Sequence, residues 1–132
     1  MILRRYKMQY IIMITIVLGL ACADFLTGLI KAYVNNDLQS AKMRKGGLNK
    51  LGEIIVMATA CGLEIGIKLL GQYYDSDRLA AATGKITAIA VFIYIVLMEL
   101  VSILENYAEI NTEAAWAKKI ITRLKNVNNK EE

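Results

Sequence analysis

The stretch MQYIIMITIVLGLACA, Met8–Ala23, runs for sixteen residues without a formal charge. That falls short of the roughly 20 apolar residues that carry an α-helix across ~30 Å of hydrocarbon at about 1.5 Å per residue. The block becomes long enough only if Asp24 is accepted inside it and the helix continues through Ile30 to Val34. If that concession is right for this block, charges inside apolar helices should recur elsewhere in the chain.

They do recur. Two further blocks, Leu51–Tyr74 (LGEIIVMATACGLEIGIKLLGQYY) and Thr83–Leu104 (TGKITAIAVFIYIVLMELVSIL), each hold several charges. Their longest uncharged runs, Ile54–Leu63 and Ile86–Met98, would by length alone also suit core helices of a soluble bundle. A soluble helix shows a broad polar face, whereas these blocks are apolar nearly all round with polar residues on a narrow line, which favours a membrane. The 132 residues contain no proline and are 56% hydrophobic, which argues for uninterrupted helices over a turn-rich β fold. The expected class is all-α: an integral membrane protein with three transmembrane helices and a charged, amphipathic C-terminal tail.

The organisation read from these blocks is a basic N-terminal tail 1–7, helices over 8–34, 51–74 and 83–105, a basic polar loop 35–50 turned by Gly46 and Gly47, a short polar loop 75–82, and a hydrophilic tail 106–132. Arg4, Arg5 and Lys7 ahead of an apolar core also mimic a secretory signal peptide, but the helix continues through Asp24 without a clear cleavage site. With no His and only Cys22 and Cys61, the chain lacks the ligands of a four-coordinate zinc site, a His-based triad and a disulfide framework. No enzyme activity, metal or cofactor is expected. The net charge is +4 and the isoelectric point about 9.1. Its basic residues flank the apolar blocks, at Lys42, Arg44, Lys45 and Lys50 and again at Lys118, Lys119, Arg123 and Lys125. That is a membrane pattern rather than a nucleic-acid one.

Asp24, Thr27, Gly28 and Lys31 fall on one side of the first helix. On the second, Glu64 and Lys68 stand in the favourable i, i+4 order, with Glu53 on nearly the same face. On the third, Glu99, Ser102 and Asn106 repeat the spacing, and Lys85 returns near the same side. A charge at the bilayer centre costs roughly 2.5–3.5 kcal/mol, so Asp24, Glu64, Lys68 and Glu99 must face one another, another protomer or water. Opposite the charged side of the second helix, Thr59, Gly62 and Gly66 form a small-residue face suited to close helix packing. In the tail, Ile110, Ala114, Ala117, Ile121 and Leu124 recur at helical spacing. They predict one surface helix with Glu109 and Glu113 early, basic residues late, Trp116 as an interfacial anchor and a disordered end from Asn126 to Glu132.

The stretch from Asp24 to Lys50, DFLTGLIKAYVNNDLQSAKMRKGGLNK, and MELVSILENYAEIN, Met98–Asn111, resemble the toxin-secretion and phage-lysis holin family. The match rests on Asp24, Thr27, Gly28, Lys31, Ala32, Ser40, Gly47, Leu48 and Lys50, then on Glu99, Ser102, Ile103, Leu104, Glu105 and Asn106. Met98 stands where the family usually has Asn, and the Pro that usually follows the second segment is absent.

The resemblance implies a small multi-pass protein of the bacterial cytoplasmic membrane that oligomerises with itself into lesions. Those lesions release an endolysin or a large toxin as cargo without specific binding, and an antiholin is a regulatory partner to expect. Polar stripes hidden in small clusters and exposed to water in a ring would give one sequence two assembly states. The competing readings are a selective channel, a regulatory antiholin-like subunit and, least supported, a catalytic membrane protein. Counting Lys and Arg by side gives nine for the loop 35–50 plus the tail and five for the opposite side. Positive-inside bias then places the C-terminus in the cytoplasm and the N-terminus outside. Arg4, Arg5 and Lys7 oppose that orientation, and a second start at Met8 would remove all three.

Overall fold

The computed structural model describes residues 2–129. The side chains of Arg4 and Arg5, and residues 130–132 of the expected disordered end, lie outside the described residues. Four helices follow in order: α1 Ile2–Val34, α2 Ser40–Tyr73, α3 Asp77–Ile110 and α4 Ala115–Asn128. The described residues contain no strand. Three stretches are long and apolar enough to cross a membrane, Lys7–Val34, Ser40–Tyr73 and Ala80–Ile110. At about 1.5 Å per residue, helices of 33 and 34 residues are roughly 50 Å long, more than the ~30 Å of hydrocarbon requires.

The helices displace much of the expected loops. The basic segment 35–50 is helical from Ser40, and the polar segment 75–82 is helical from Asp77. Gly46 and Gly47, read as a turn, lie inside α2, where a Cβ on either would sit 3.9 Å from the Phe25 ring. That is ordinary contact, so a side chain would fit at either position, and neither glycine reverses the chain.

The reversals are made without glycine or proline. After α1, the Asp37 N–H donates to the Ala32 carbonyl at 2.9 Å and the Asn36 N–H to the Tyr33 carbonyl at 3.2 Å. After α2, the Ser76 N–H donates to the Gly71 carbonyl at 2.8 Å and the Asp75 N–H to the Gln72 carbonyl at 3.4 Å. Both are 6→1 and 5→2 pairs of a Schellman motif, whose pivot needs a left-handed backbone. Asn36 and Asp75 supply it, each with φ of 54°, and these are the two side-chain types that tolerate it best after glycine.

The tail is not one helix. α3 ends at Ile110 and α4 begins at Ala115, so Glu109 belongs to α3 and Glu113 to the turn. The Glu113 N–H donates to the Asn111 side-chain oxygen at 3.2 Å, an Asx turn that turns the chain between α3 and α4. Asn126–Asn128, expected to be disordered, continue α4. The Asn129 N–H closes its last turn onto the Lys125 carbonyl at 3.1 Å.

The chain divides into two units, Met1–Leu18 with Leu51–Ile95, and Gly19–Lys50 with Val96–Glu132. In the first, Tyr10, Val17, Met57, Cys61 and Ile95 form a buried cluster. In the second, Ala108, Ala114 and Ala117 pack with Leu104 and Ile121, seating α4 on α3. Large apolar side chains such as Ile11, Ile55, Leu63, Ile86 and Tyr94 face outward, while Asp24, Glu64, Glu99 and Asn106 are buried. This inversion of the usual soluble arrangement fits hydrocarbon as the surrounding solvent.

Candidate functional site

The buried charges form one network in each unit. In the first unit, Glu64 is 1% exposed and accepts two hydrogen bonds on one oxygen, from the Tyr10 hydroxyl at 2.7 Å and from the Lys68 ammonium at 3.0 Å. Lys68 also donates to the Tyr10 oxygen at 2.6 Å and lies 5.2 Å from the centre of the Tyr10 ring. The helical register of α2 places Glu64 and Lys68 one turn apart, and α1 supplies the tyrosine from its uncharged run. Gly84 on α3 completes the site by approaching closely: a Cβ there would stand 2.7 Å from the Glu64 Cγ and 3.1 Å from its Cα. Glu64 and Lys68 thus form an ion pair within one helix.

The second unit joins three helices around Lys50. Its ammonium contacts the Asp24 carboxylate at 2.7 Å and also hydrogen-bonds the Glu99 carboxylate, itself 1% exposed. The Asn106 amide donates to the other Asp24 oxygen at 2.9 Å and to the Thr27 hydroxyl at 3.2 Å. Thr27 in turn donates to the Asp24 carbonyl at 3.0 Å. Gly28 lies beside that amide, where a Cβ would make ordinary contact at 3.6 Å from the Asn106 nitrogen. The Lys50 ammonium bridges Asp24 of α1 and Glu99 of α3.

A hollow of about 460 Å³ leads to this network. Asp24, Gly28, Lys50, Ser102 and Asn106 line its inner part, and Lys31, Asp37, Lys42 and Glu109 are also among its walls. Lys31 and Glu109 approach within 3.6 Å. Asp37 accepts from Lys42 at 2.6 Å and from Gln39 at 2.8 Å. The Lys42 hydrogen bond and charge hold the Asp37 carboxyl below the usual aspartate range.

The residues singled out from the sequence thus have different fates. Asp24, Thr27, Gly28, Glu99 and Asn106 converge in the second unit, with Ser102 on the wall of the hollow, and Glu64 pairs with Lys68 in the first. Glu105 points to a partly exposed bridge with Lys125 at 2.6 Å. Thr59 returns its hydroxyl to the Ile55 carbonyl, and a Cβ on Gly62 or Gly66 would meet nothing within 4 Å. That face has no partner within the chain among the described residues. Met8 is exposed on α1.

Two participants escaped the sequence reading. Lys50 was counted as a membrane flank, although it stood among the residues carrying the family resemblance. Tyr10 gave no signal, being one polar atom in an uncharged run.

Comparison with known proteins agrees with this architecture. The model of the bacteriophage holin family matches residues 3–129, nearly the whole chain. Neither the search of curated proteins nor that of solved structures gave a match. Three membrane-competent helices with their charges folded inward, under a family match from end to end, place the chain in the bacteriophage holin family.

Proposed function

We propose that this holin accumulates in the host cytoplasmic membrane with its charges closed inside each protomer. Lesions then open when the same groups exchange their intrachain partners for water and for neighbouring protomers. The observation that carries this reading is the burial of Asp24 and Glu99 around the partly buried Lys50 ammonium, in a network that a polar hollow adjoins. Each such charge would cost roughly 2.5–3.5 kcal/mol if turned toward lipid, so the closed protomer suits a bilayer. An aqueous ring offers the groups a second environment of comparable free energy, and assembly selects between the two. No substrate site is needed, and the endolysin or toxin leaves as unbound cargo.

The positive-inside count supports a cytoplasmic C-terminus. Removing Lys50, now held in the ion network, leaves eight basic residues against five. Carrying Arg4, Arg5 and Lys7 outward against ~100 mV costs roughly 7 kcal/mol, a cost that disappears on depolarisation. A form starting at Met8 therefore inserts faster and the longer form restrains lysis, as an antiholin would.

Expression in bacteria beside a cytosolic hydrolase tests the proposal. Abrupt lysis with hydrolase release is expected, and Glu99→Leu should change the time of lysis while leaving insertion intact. Leakage of small ions with proteins retained would favour a selective channel. Unchanged timing across separate neutralisation of Asp24, Lys31, Glu64, Lys68 and Glu99 would leave the networks as helix glue.

A further inference from the structure

Helix α4 carries Lys118, Lys119, Arg123 and Lys125 and no acidic residue between Ala115 and Asn128. Its inner side packs Ala117 and Ile121 against the end of α3. A second apolar stripe remains outside: Trp116, Ile120 and Val127 are 55%, 39% and 50% exposed. At about 100° per residue they fall within roughly 40° of one another, and Arg123 and Lys119 continue that face to one side. Among the described residues, Lys118, Lys119 and Arg123 have no acidic partner, while Lys125 is held by Glu105.

We infer that this outer face of α4 docks on the anionic phospholipid headgroups of the bilayer that holds α1 to α3. Two observations name the occupant. Charge complementarity requires an anionic surface with an apolar layer beneath it, since lysines and arginines flank a tryptophan and two aliphatic side chains. The tether is short as well: α4 begins five residues after Ile110, where the third membrane-competent stretch ends, so the helix is kept within reach of the headgroups. A tryptophan at that depth has its apolar ring in the interface and its N–H toward water.

Trp116 is the only tryptophan in the chain and reports on α4 directly. The full-length protein is reconstituted in phosphatidylcholine vesicles with and without phosphatidylglycerol. Tryptophan emission and acrylamide quenching are then read at low salt and at about 1 M salt, where the Debye length shrinks to roughly 3 Å. Phosphatidylglycerol should shift the emission to the blue and lower the quenching at low salt, and high salt should reverse both. Each basic residue near an anionic surface favours the docked state by roughly fivefold. The combined Lys119→Gln and Arg123→Gln variant should therefore lose the lipid response, while Lys119→Arg and Arg123→Lys together should keep it. Equal emission and quenching in both vesicles, or a lipid response that survives the glutamine variant, overturns the proposal. So does a response to an added single-stranded oligonucleotide in its place.

Discussion

The two units solve the same problem over different distances. Each must keep carboxylates away from hydrocarbon. The first does so with Glu64, Lys68 and the Tyr10 hydroxyl, and its ion pair is local, one helical turn apart. The second gathers Asp24 and Glu99 from two helices around Lys50 on a third and adds the Asn106 amide to the second Asp24 oxygen. A local pair survives rearrangement of the helices around it. A network drawn from three helices exists only while they stay together, which makes the second unit the part whose polar groups assembly would release first.

Removing the shared ammonium breaks this contrast most severely. Lys50→Met leaves two carboxylates facing each other in a buried site and should cost about 3–5 kcal/mol, measured as unfolding in detergent. Lys68→Met strands one carboxylate that still has the Tyr10 hydroxyl and should cost about half as much. Equal losses would mean that a local pair and a three-helix network are equally costly to break.

Glycine substitutions sharpen the comparison next. Gly84→Ala would force its Cβ against the Glu64 Cγ and backbone and should cost about 1–3 kcal/mol. Gly28→Ala meets only ordinary contact with Asn106 and should be neutral or stabilising by up to about 1 kcal/mol, as the helix gains propensity. Thermal unfolding of the two variants side by side checks the order. Of the neutral polar partners, Asn106→Ala should destabilise by about 1–3 kcal/mol because Asp24 stays buried, and Tyr10→Phe by about 1 kcal/mol because Lys68 still covers Glu64.

The smallest effect lies at the rim. The Asp37 carboxyl is held low by Lys42, so its contribution is present above the ordinary aspartate range and is lost as pH falls through the depressed value. Acid unfolding of Lys42→Gln should therefore show a slightly weaker loss of stability below about pH 4 than the parent. The stability difference between the two proteins should be largest at neutral pH, where the Asp37–Lys42 pair is intact, and should shrink as Asp37 is protonated.

Much of the fold was legible because membrane helices announce themselves by length and apolarity. The three blocks, the pairing of Glu64 with Lys68, and the inward stripes of Asp24 and Thr27 or Glu99 and Asn106 all follow from local spacing. The loop boundaries did not, since a glycine pair in a polar segment reads as a turn, whereas here Gly46 and Gly47 continue α2 with helical backbone. The single tail helix failed for a similar reason: Ile110 and Ala114 share a face by arithmetic, but Asn111 offers the backbone an alternative hydrogen bond and the helix stops.

The sequence by itself determined that this chain enters a membrane as helices carrying charge, because about 3 kcal/mol per lipid-facing charge turns those groups toward one another, another protomer or water. Only the tertiary structure decided who answers whom. Lys50 meets Glu99 across 49 residues, Tyr10 meets Glu64 across 54, and Asn106 meets Asp24 across 82. Helical periodicity gives the direction of a side chain around its own axis and carries no information about which neighbouring helix stands there, or at what height.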